Sequence, residues 1–371
     1  MNVLIIIVSL VLVAMAGILL SNTFLFPRLR QFPPASPLPR VSVLIPARDE
    51  AAVIKGTLAR LDAQDYPDFE VLVLDDHSSD STAELARSVG GHVRVIAGAA
   101  LPDGWSGKNW ACHQLSQVAT GEVLLFTDAD VIWQPGALSA LVAEFQRTRA
   151  DLLTVWPTQI TVTLPERLIV PLMAMVVMAY LPVVAVHYLP FALFGASNGQ
   201  CMAWRCGAYQ RTGGHQAVRH TVLEDVTLAR IVKRLGLRLR MADGASLIGC
   251  RMYTDWGSVR DGYAKNIMAG FGGVIPLLAS IVFHWLMFLF PIVLLQDARY
   301  GKYGLPLVAL GVLIRALSAA ATRQRIFDAI LLPISVLLMT RISAHSLYWR
   351  VHLGGPQWKG RVLSRAGQTH V

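Results

Sequence analysis

The stretch Glu122–Val131 constrains this chain more than any other: four apolar residues, Val123-Leu124-Leu125-Phe126, run straight into Thr127-Asp128-Ala129-Asp130. An uninterrupted apolar run of this length reads as a buried strand of a parallel sheet. Two carboxylates spaced i, i+2 at a strand end share one face, and the carboxyl ends of strands in open α/β sheets are where ligands bind. Crowded carboxylates repel one another unless a proton or a cation intervenes. A divalent cation held by oxygen ligands, Mg²⁺ or Mn²⁺ on Asp128 and Asp130, meets that need and can bridge to a substrate phosphate. The plainer alternative is an aspartate turn or helix cap after a strand.

The same unit recurs upstream. Val41-Ser42-Val43-Leu44-Ile45 is a strand that ends in Pro46-Ala47-Arg48-Asp49-Glu50 and is followed by an amphipathic helix through Leu61. Glu70-Val71-Leu72-Val73-Leu74 is another, ending in Asp75-Asp76-His77-Ser78-Ser79-Asp80. Short apolar strands alternating with helices imply a parallel sheet, and the polar clusters at successive strand ends line one crevice. The expected fold class is therefore α/β.

The remainder is too apolar for an ordinary soluble enzyme: 54% of the 371 residues are hydrophobic, only 15% are charged, and the mean hydropathy is +0.48. Val3–Leu20 carries no charge and is long enough to cross a bilayer. With no basic residue before it, this run reads as a retained anchor (1–26), although Ala14-Met15-Ala16 resembles a cleavage site. Arg28, Arg30 and Arg40 after it predict a cytoplasmic location for the domain they lead into. Residues 27–40, with Pro33, Pro34, Pro37 and Pro39, read as a stiff linker holding the next domain off the membrane. Leu164–Phe194 is apolar and broken by prolines. A crossing there would separate Asp128 and Asp130 from the acidic pair Glu224-Asp225, so 164–194 is expected to lie in the membrane interface. Further apolar stretches occur at about Val274–Leu295, Leu305–Ala320 and Ile326–Ala344. Three full crossings would put the basic tail 346–371, with Arg350, Lys359, Arg361 and Arg365, on the far side from the catalytic domain. The basic residues favour the cytoplasmic side, so one stretch is open to a re-entrant reading. The net charge of +9 fits membrane topology and lipid contacts. No basic run is interleaved with aromatics, so nucleic acid is not an expected partner. Cys112, Cys201, Cys206 and Cys250 lack metal-site spacing.

Asp75-Asp76, Lys108, Asp128/Asp130 and Glu224-Asp225 find one explanation in a nucleotide sugar. A carboxylate after the second strand can accept from a uracil imide, and Lys108 can face the base or the phosphates as a point charge. A metal on Asp130 neutralises the departing diphosphate, and Asp225 serves as general base for the acceptor hydroxyl.

The ordered stretches SVLIPARDEAAVI, VLVLDDHSSDST, LPDGWSGKNWACHQ, LLFTDADV and LEDVTLARIVKRLG resemble glycosyltransferase family 2, which has a GT-A fold. RMYTDWGSVRDGYAKNIMAGFGG and the terminal QWKGR are similar to the membrane-bound subgroup that includes hopene-associated and diaponeurosporenoate or carotenoid glycosyltransferases. The resemblance implies a GT-A domain over 41–273 with transmembrane helices at both ends, the C-terminal ones within 274–345. It implies nucleotide contacts at Pro46, Ala47, Arg48, Glu50, Asp76 and Lys108, a metal and phosphate site at Asp128 and Asp130, and a base at Asp225 beside Glu224. Asp49 departs from the asparagine many relatives carry. No Q/RxxRW motif follows the base, which disfavours polymer synthesis.

The expected activity is inverting transfer of a hexose, glucose by resemblance, from a UDP-sugar to a lipid such as a carotenoid, hopanoid or glycerolipid. A multi-pass location in the cell membrane goes with it, and the oligomeric state stays open. The alternatives are a polyprenyl-phosphate sugar synthase or a silent membrane scaffold. Gln200, in Asn198-Gly199-Gln200, and Trp256, Arg260 and Lys265 are candidates for contacting the acceptor or gating the site. A turn before a strand explains the first equally well, and an interfacial aromatic and basic belt the others. His77, His113 and His215 read as surface or packing residues.

Overall fold

The structure, a computed structural model, describes residues 1–353, 355, 357–358 and 361–362, the last four as backbone only. Lys359 and Arg365 of the basic tail lie outside the described residues, as do the side chains of Trp358 and Arg361. The chain divides into two units: Phe26–Thr158 with Val184–Met252 makes a sheet unit, and Met1–Leu25, Gln159–Val183 and the chain from Tyr253 make a helical unit. The block expected as continuous over 41–273 is thus split, because Gln159–Val183 and the chain from Tyr253 pack with the apolar helices.

In the sheet unit the strands are β1 (Val41–Ala47), β2 (Phe69–Asp75), β3 (Val93–Ala97), β4 (Val123–Thr127), β5 (Val131–Trp133), β6 (Leu152–Trp156), β7 (Thr158–Gln159, at its boundary), β8 (Cys201–Arg205), β9 (Leu239–Asp243) and β10 (Ile248–Cys250). Seven form one sheet in the order β3-β2-β1-β4-β8-β6-β9. Every pair is parallel except those made by β8, which runs antiparallel to β4 and β6. Val43, Ile45, Val71, Val73, Val123 and Leu125 from its three adjoining parallel strands pack in one core cluster with Leu58 and Leu61. Those two come from the helix Ile54–Asp62, whose residues at i, i+3, i+4 and i+7 (Ile54, Thr57, Leu58, Leu61) are its buried stripe. β5 pairs antiparallel with β10, bringing Cys250 opposite Val131.

The proline-rich segment is strapped to this unit rather than standing free as a spacer. Leu29 is buried in the sheet core, and its N–H donates to Asp243 O at 2.9 Å. Gln146 Nε2 donates to Ala35 O and Pro37 O, and the Tyr66 hydroxyl donates to Pro39 O. Proline removes donors but leaves carbonyls as acceptors, and a helix side chain, Gln146, and a loop side chain, Tyr66, take them up.

Among the described residues the helical unit contains four helices long and apolar enough to cross a membrane: Asn2–Leu25, Val274–Leu294, Gly301–Ala321 and Ile326–His352. The apolar stretch from Leu164 is a 17-residue helix, Leu164–Tyr180. The charges at its head have local work. Glu166 accepts from the backbone N–H groups of Val162 (2.9 Å) and Thr163 (3.1 Å), completing a capping box. Arg167 makes a two-pronged ion pair with Asp328. At the other end the last carbonyls lack partners within the helix. Asn22 supplies them: its Nδ2 donates to Met178 O (3.0 Å) and Leu181 O (2.8 Å), and its Oδ1 accepts from Val183 N (2.9 Å). Farther along, Gly262 on the helix Trp256–Phe271 lies so close to Tyr253 that a Cβ would come within 2.3 Å of the ring.

Candidate active site

β4 stops at Thr127, and Asp128-Ala129-Asp130 forms a turn between β4 and β5, with Val131 N donating to Asp128 O. The alternation argument for a shared face therefore does not apply, and the two carboxylates take different partners. Asp128 Oδ1 is 2.8 Å from Lys108 Nζ. Asp130 hydrogen bonds with the Cys250 thiol, while its Oδ1 is buried without a hydrogen-bond partner. Burial, and after it the charges of Asp128 and Glu50, push the Asp130 carboxyl up to about 7.

Lys108 ties the two acidic clusters together. It is the second residue of the helix Gly107–Val118, which Ser106 caps through Asn109 N. Its Nζ is 3.1 Å from Glu224 Oε1, so one ammonium bridges Asp128 and Glu224. Desolvation opposes the charged form, but the two carboxylates outweigh it and hold Lys108 well above the ordinary lysine range. Asn109, which no local sequence pattern singles out, fixes this geometry. Fully buried, its Nδ2 donates to Val218 O (2.8 Å) and Thr221 O (3.1 Å). The segment that leads into the helix Glu224–Arg234 is thereby bound to the helix carrying Lys108.

Asp225 is clamped by backbone. Gly199 N donates to its Oδ2 and Val226 N to its Oδ1, both at 2.8 Å. Acidic residues in a first helical turn are commonly structural. Here, however, one oxygen reaches out of its own helix to the turn before β8. Desolvation, and then the neighbouring Glu224, push the Asp225 carboxyl up to about 7. Two glycines permit the approach. A Cβ on Gly199 would lie 3.3–3.4 Å from Glu224, Asp225 and Lys108 atoms, and one on Gly195 would lie 2.8 Å from the backbone N of Arg230.

Asn198-Gly199-Gln200 is the turn entering β8, and Gln200 joins the site from behind. Its carbonyl accepts from Thr127 Oγ1 (2.9 Å) and Asp128 N (3.3 Å), and its Nε2 donates to Cys250 Sγ at 2.9 Å. Pro46 and Ala47 end β1, where Ala47 registers with Asp75. Arg48 Nη1 donates to Asp76 O (2.8 Å) and lies 3.6 Å from Asp76 Oδ2. Asp75 Oδ1 is buried without a hydrogen-bond partner, an acceptor with its capacity unused. Glu50 N donates to Thr82 Oγ1. Asp49 takes a left-handed backbone, φ 53°, and accepts from Ser79 N and Oγ. Short polar side chains adopt that conformation most readily, so aspartate serves where asparagine would. His215 is buried, its Nδ1 2.8 Å from the Tyr209 hydroxyl, as a packing histidine should be. Trp256, Arg260 and Lys265 are on the helix Trp256–Phe271 of the helical unit, where Arg260 pairs with Asp261 and Arg341 lies over the Trp256 ring.

Among the described residues no three His, Cys, Asp or Glu side chains converge as a closed metal cage. Two carboxylates with an orphaned buried oxygen fit a cation whose remaining ligands are water and substrate phosphate, the usual manner of Mg²⁺ and Mn²⁺.

Residues 42–172 match the family model for Glycosyl transferase family 2, so this segment is similar to that family, and the mixed sheet it belongs to has a GT-A-like fold. Among its relatives, a 4,4'-diaponeurosporenoate glycosyltransferase of Staphylococcus haemolyticus is 26% identical over 67% of this chain and 66% of its own length. One from Staphylococcus aureus (strain MRSA252) is 29% identical over 66% of this chain and 65% of its own. The aligned part therefore falls just short of two thirds of either relative. A mannosyltransferase from Pyrobaculum calidifontis, solved in complex with GDP-Man and Mn²⁺, superposes over 93% of this chain and 99% of its own with a TM-score of 0.53 and 18% identity, a likeness of fold.

Proposed function

We propose that the protein is an inverting, metal-dependent glycosyltransferase at the cytoplasmic face of a membrane, moving a hexose from a UDP-sugar to a lipid acceptor. The observation that carries this reading is the Asp225 carboxylate. Two backbone N–H groups orient it, and its pKa is raised toward neutrality beside a lysine that already bridges two carboxylates. A general base works best with a pKa near the operating pH. Ionised Asp225 takes the proton of the acceptor hydroxyl as that oxygen attacks the anomeric carbon. The new C–O bond forms on one face while the bond to the diphosphate breaks on the other, and the nucleoside diphosphate leaves with the bonding electrons.

Lys108 offers its ammonium to the diphosphate as a charge-assisted donor, and Glu224 keeps that ammonium turned toward the base. Asp75, with its unpartnered oxygen, and Asp76, held by Arg48, receive the nucleoside beside Pro46, Ala47 and Glu50. A divalent cation on Asp128 and Asp130 would supply positive charge to the leaving diphosphate. The apolar helices suit an acceptor that resides in the bilayer, and the relatives named for a carotenoid acid support a lipid of that kind.

The test is incubation of the detergent-solubilised protein with Mn²⁺, a panel of labelled nucleotide sugars and total lipid from its source. One labelled lipid from one donor, absent with Asp225→Asn, supports the reading. Metal-dependent donor binding with no lipid labelled overturns the lipid acceptor, and no donor binding overturns the donor site.

A further inference from the structure

Arg315 belongs to the helix Gly301–Ala321 of the helical unit, long and apolar enough to cross a membrane, and is 1% exposed. Its Nε and Nη1 have no hydrogen-bond partner, and one turn later Ser318, 0% exposed, has an unpartnered hydroxyl. Residues i and i+3 face the same side of a helix, so Arg315 and Ser318 are placed on one side of it. Among the described residues, the carboxylate that acts on Arg315 is that of Asp328. That carboxylate already has both oxygens on Arg167. Three guanidinium groups, those of Arg167, Arg325 and Arg315, thus share one carboxylate, and the buried one of the surplus is Arg315. A cation inside an apolar helical bundle is costly and marks a functional position; here the nearby carboxylate is already engaged by Arg167.

We infer that Arg315 and Ser318 form a binding site for the oxyanion head of an amphiphile. The guanidinium fork carries five N–H donors suited to the oxygens of a carboxylate or phosphate; those on Nε and Nη1 are unpartnered here, and the Ser318 hydroxyl adds a further donor. The ligand is an amphiphile because the site sits on a helix of bilayer length, where a free ion would have no apolar body to accompany it. Both nitrogens are screened from solvent, so the head enters only with repacking around Arg315 and leaves slowly.

The experiment uses the full chain in nanodiscs of phosphatidylcholine, alone or with phosphatidylglycerol, and in a third set with oleate, read by native mass spectrometry after release into detergent and by thermal melting. The wild type is expected to retain one bound phosphatidylglycerol or one oleate in preference to phosphatidylcholine and to melt higher with it. Which of the two binds distinguishes a phosphate head from a carboxylate head. Arg315→Met should lose the preference, and Arg315→Lys, which keeps the charge but not the fork, should weaken it about tenfold or more. Should the methionine variant not fold, the lysine variant decides alone. Equal retention of all three lipids by the wild type, or undiminished retention by Arg315→Lys, overturns the site.

Discussion

Asp225→Asn is the sharpest perturbation the proposed mechanism offers, because it removes a proton acceptor while keeping the shape. Both carboxylate oxygens receive a backbone N–H at 2.8 Å. In asparagine one of these meets an NH₂ group, and a buried donor left unmatched costs about 1–3 kcal/mol. Against that stands the removal of a desolvated charge next to Glu224, the cause of the raised pKa. The two terms oppose, so thermal melting at pH 7 should change little. Rate should not be spared: general-base catalysis is worth about 10²–10⁴-fold, or about 3–5.5 kcal/mol of barrier. The assay is transfer to a hydroxyl-bearing lipid between pH 5.5 and 8.5, with the melting curve alongside. The base must be ionised, so wild-type activity should fall as the pH drops below about 7, and the residual activity of the variant should lack that limb. A folded variant within tenfold of wild type at pH 8, with the acid limb intact, would refute the assignment of Asp225.

Other substitutions separate binding from chemistry and fold. Lys108→Gln should raise the KM for the nucleotide sugar about 10–100-fold, the worth of one charge-assisted hydrogen bond, with a smaller change in kcat, as measured by initial rates. Asp130 has a raised folded-state pKa, so the stability its protonated form contributes is present below pH 4 and lost as the pH rises through about 7. Melting in chelator should accordingly drop between pH 5 and pH 8, and Asp130→Asn should melt higher than wild type at pH 8 by about 1–2 kcal/mol while losing stabilisation by added Mn²⁺. Gly262→Ala should destabilise the helical unit by about 1–3 kcal/mol through overpacking against Tyr253, visible as a lower melting temperature in detergent.

The features legible in the sequence are those that reside in contiguous residues. β1, β2 and β4 announce themselves as apolar runs followed by polar clusters, and the long apolar helices by length alone. β3 escapes such a reading because Val93–Ala97 is a half-exposed edge strand with a basic residue inside it. The helix 54–62 is legible from its periodicity, whereas the turn at Asp128-Ala129-Asp130 passes for strand continuation because an i, i+2 spacing suits both. The site's supporting contacts are invisible for a different reason. Asn109 acts on carbonyls at 218 and 221, Cys250 meets Asp130 because β10 pairs with β5, and Asn22 closes the end of a helix at 178–183. Each depends on a pairing distant in sequence that no local pattern encodes. The surplus of arginine over aspartate around Asp328 likewise needs coordinates, since Arg167, Arg315 and Asp328 come from three separate elements.

Gly195 sets a distance. With its Cα pressed to the backbone of Arg230, any side chain there must push outward on the helix that begins with Glu224 and Asp225. In the proposed mechanism, the reach of the acid toward a sugar is thus gauged by an atom that is missing, thirty residues away in sequence from Asp225. Enlarging it in steps, glycine to alanine to valine, would vary the placement of an intact carboxylate without altering its identity. Mechanism rarely offers such a ruler, and here a single glycine packed on Arg230 provides the means to ask how far from the anomeric carbon the proposed base can stand and still act.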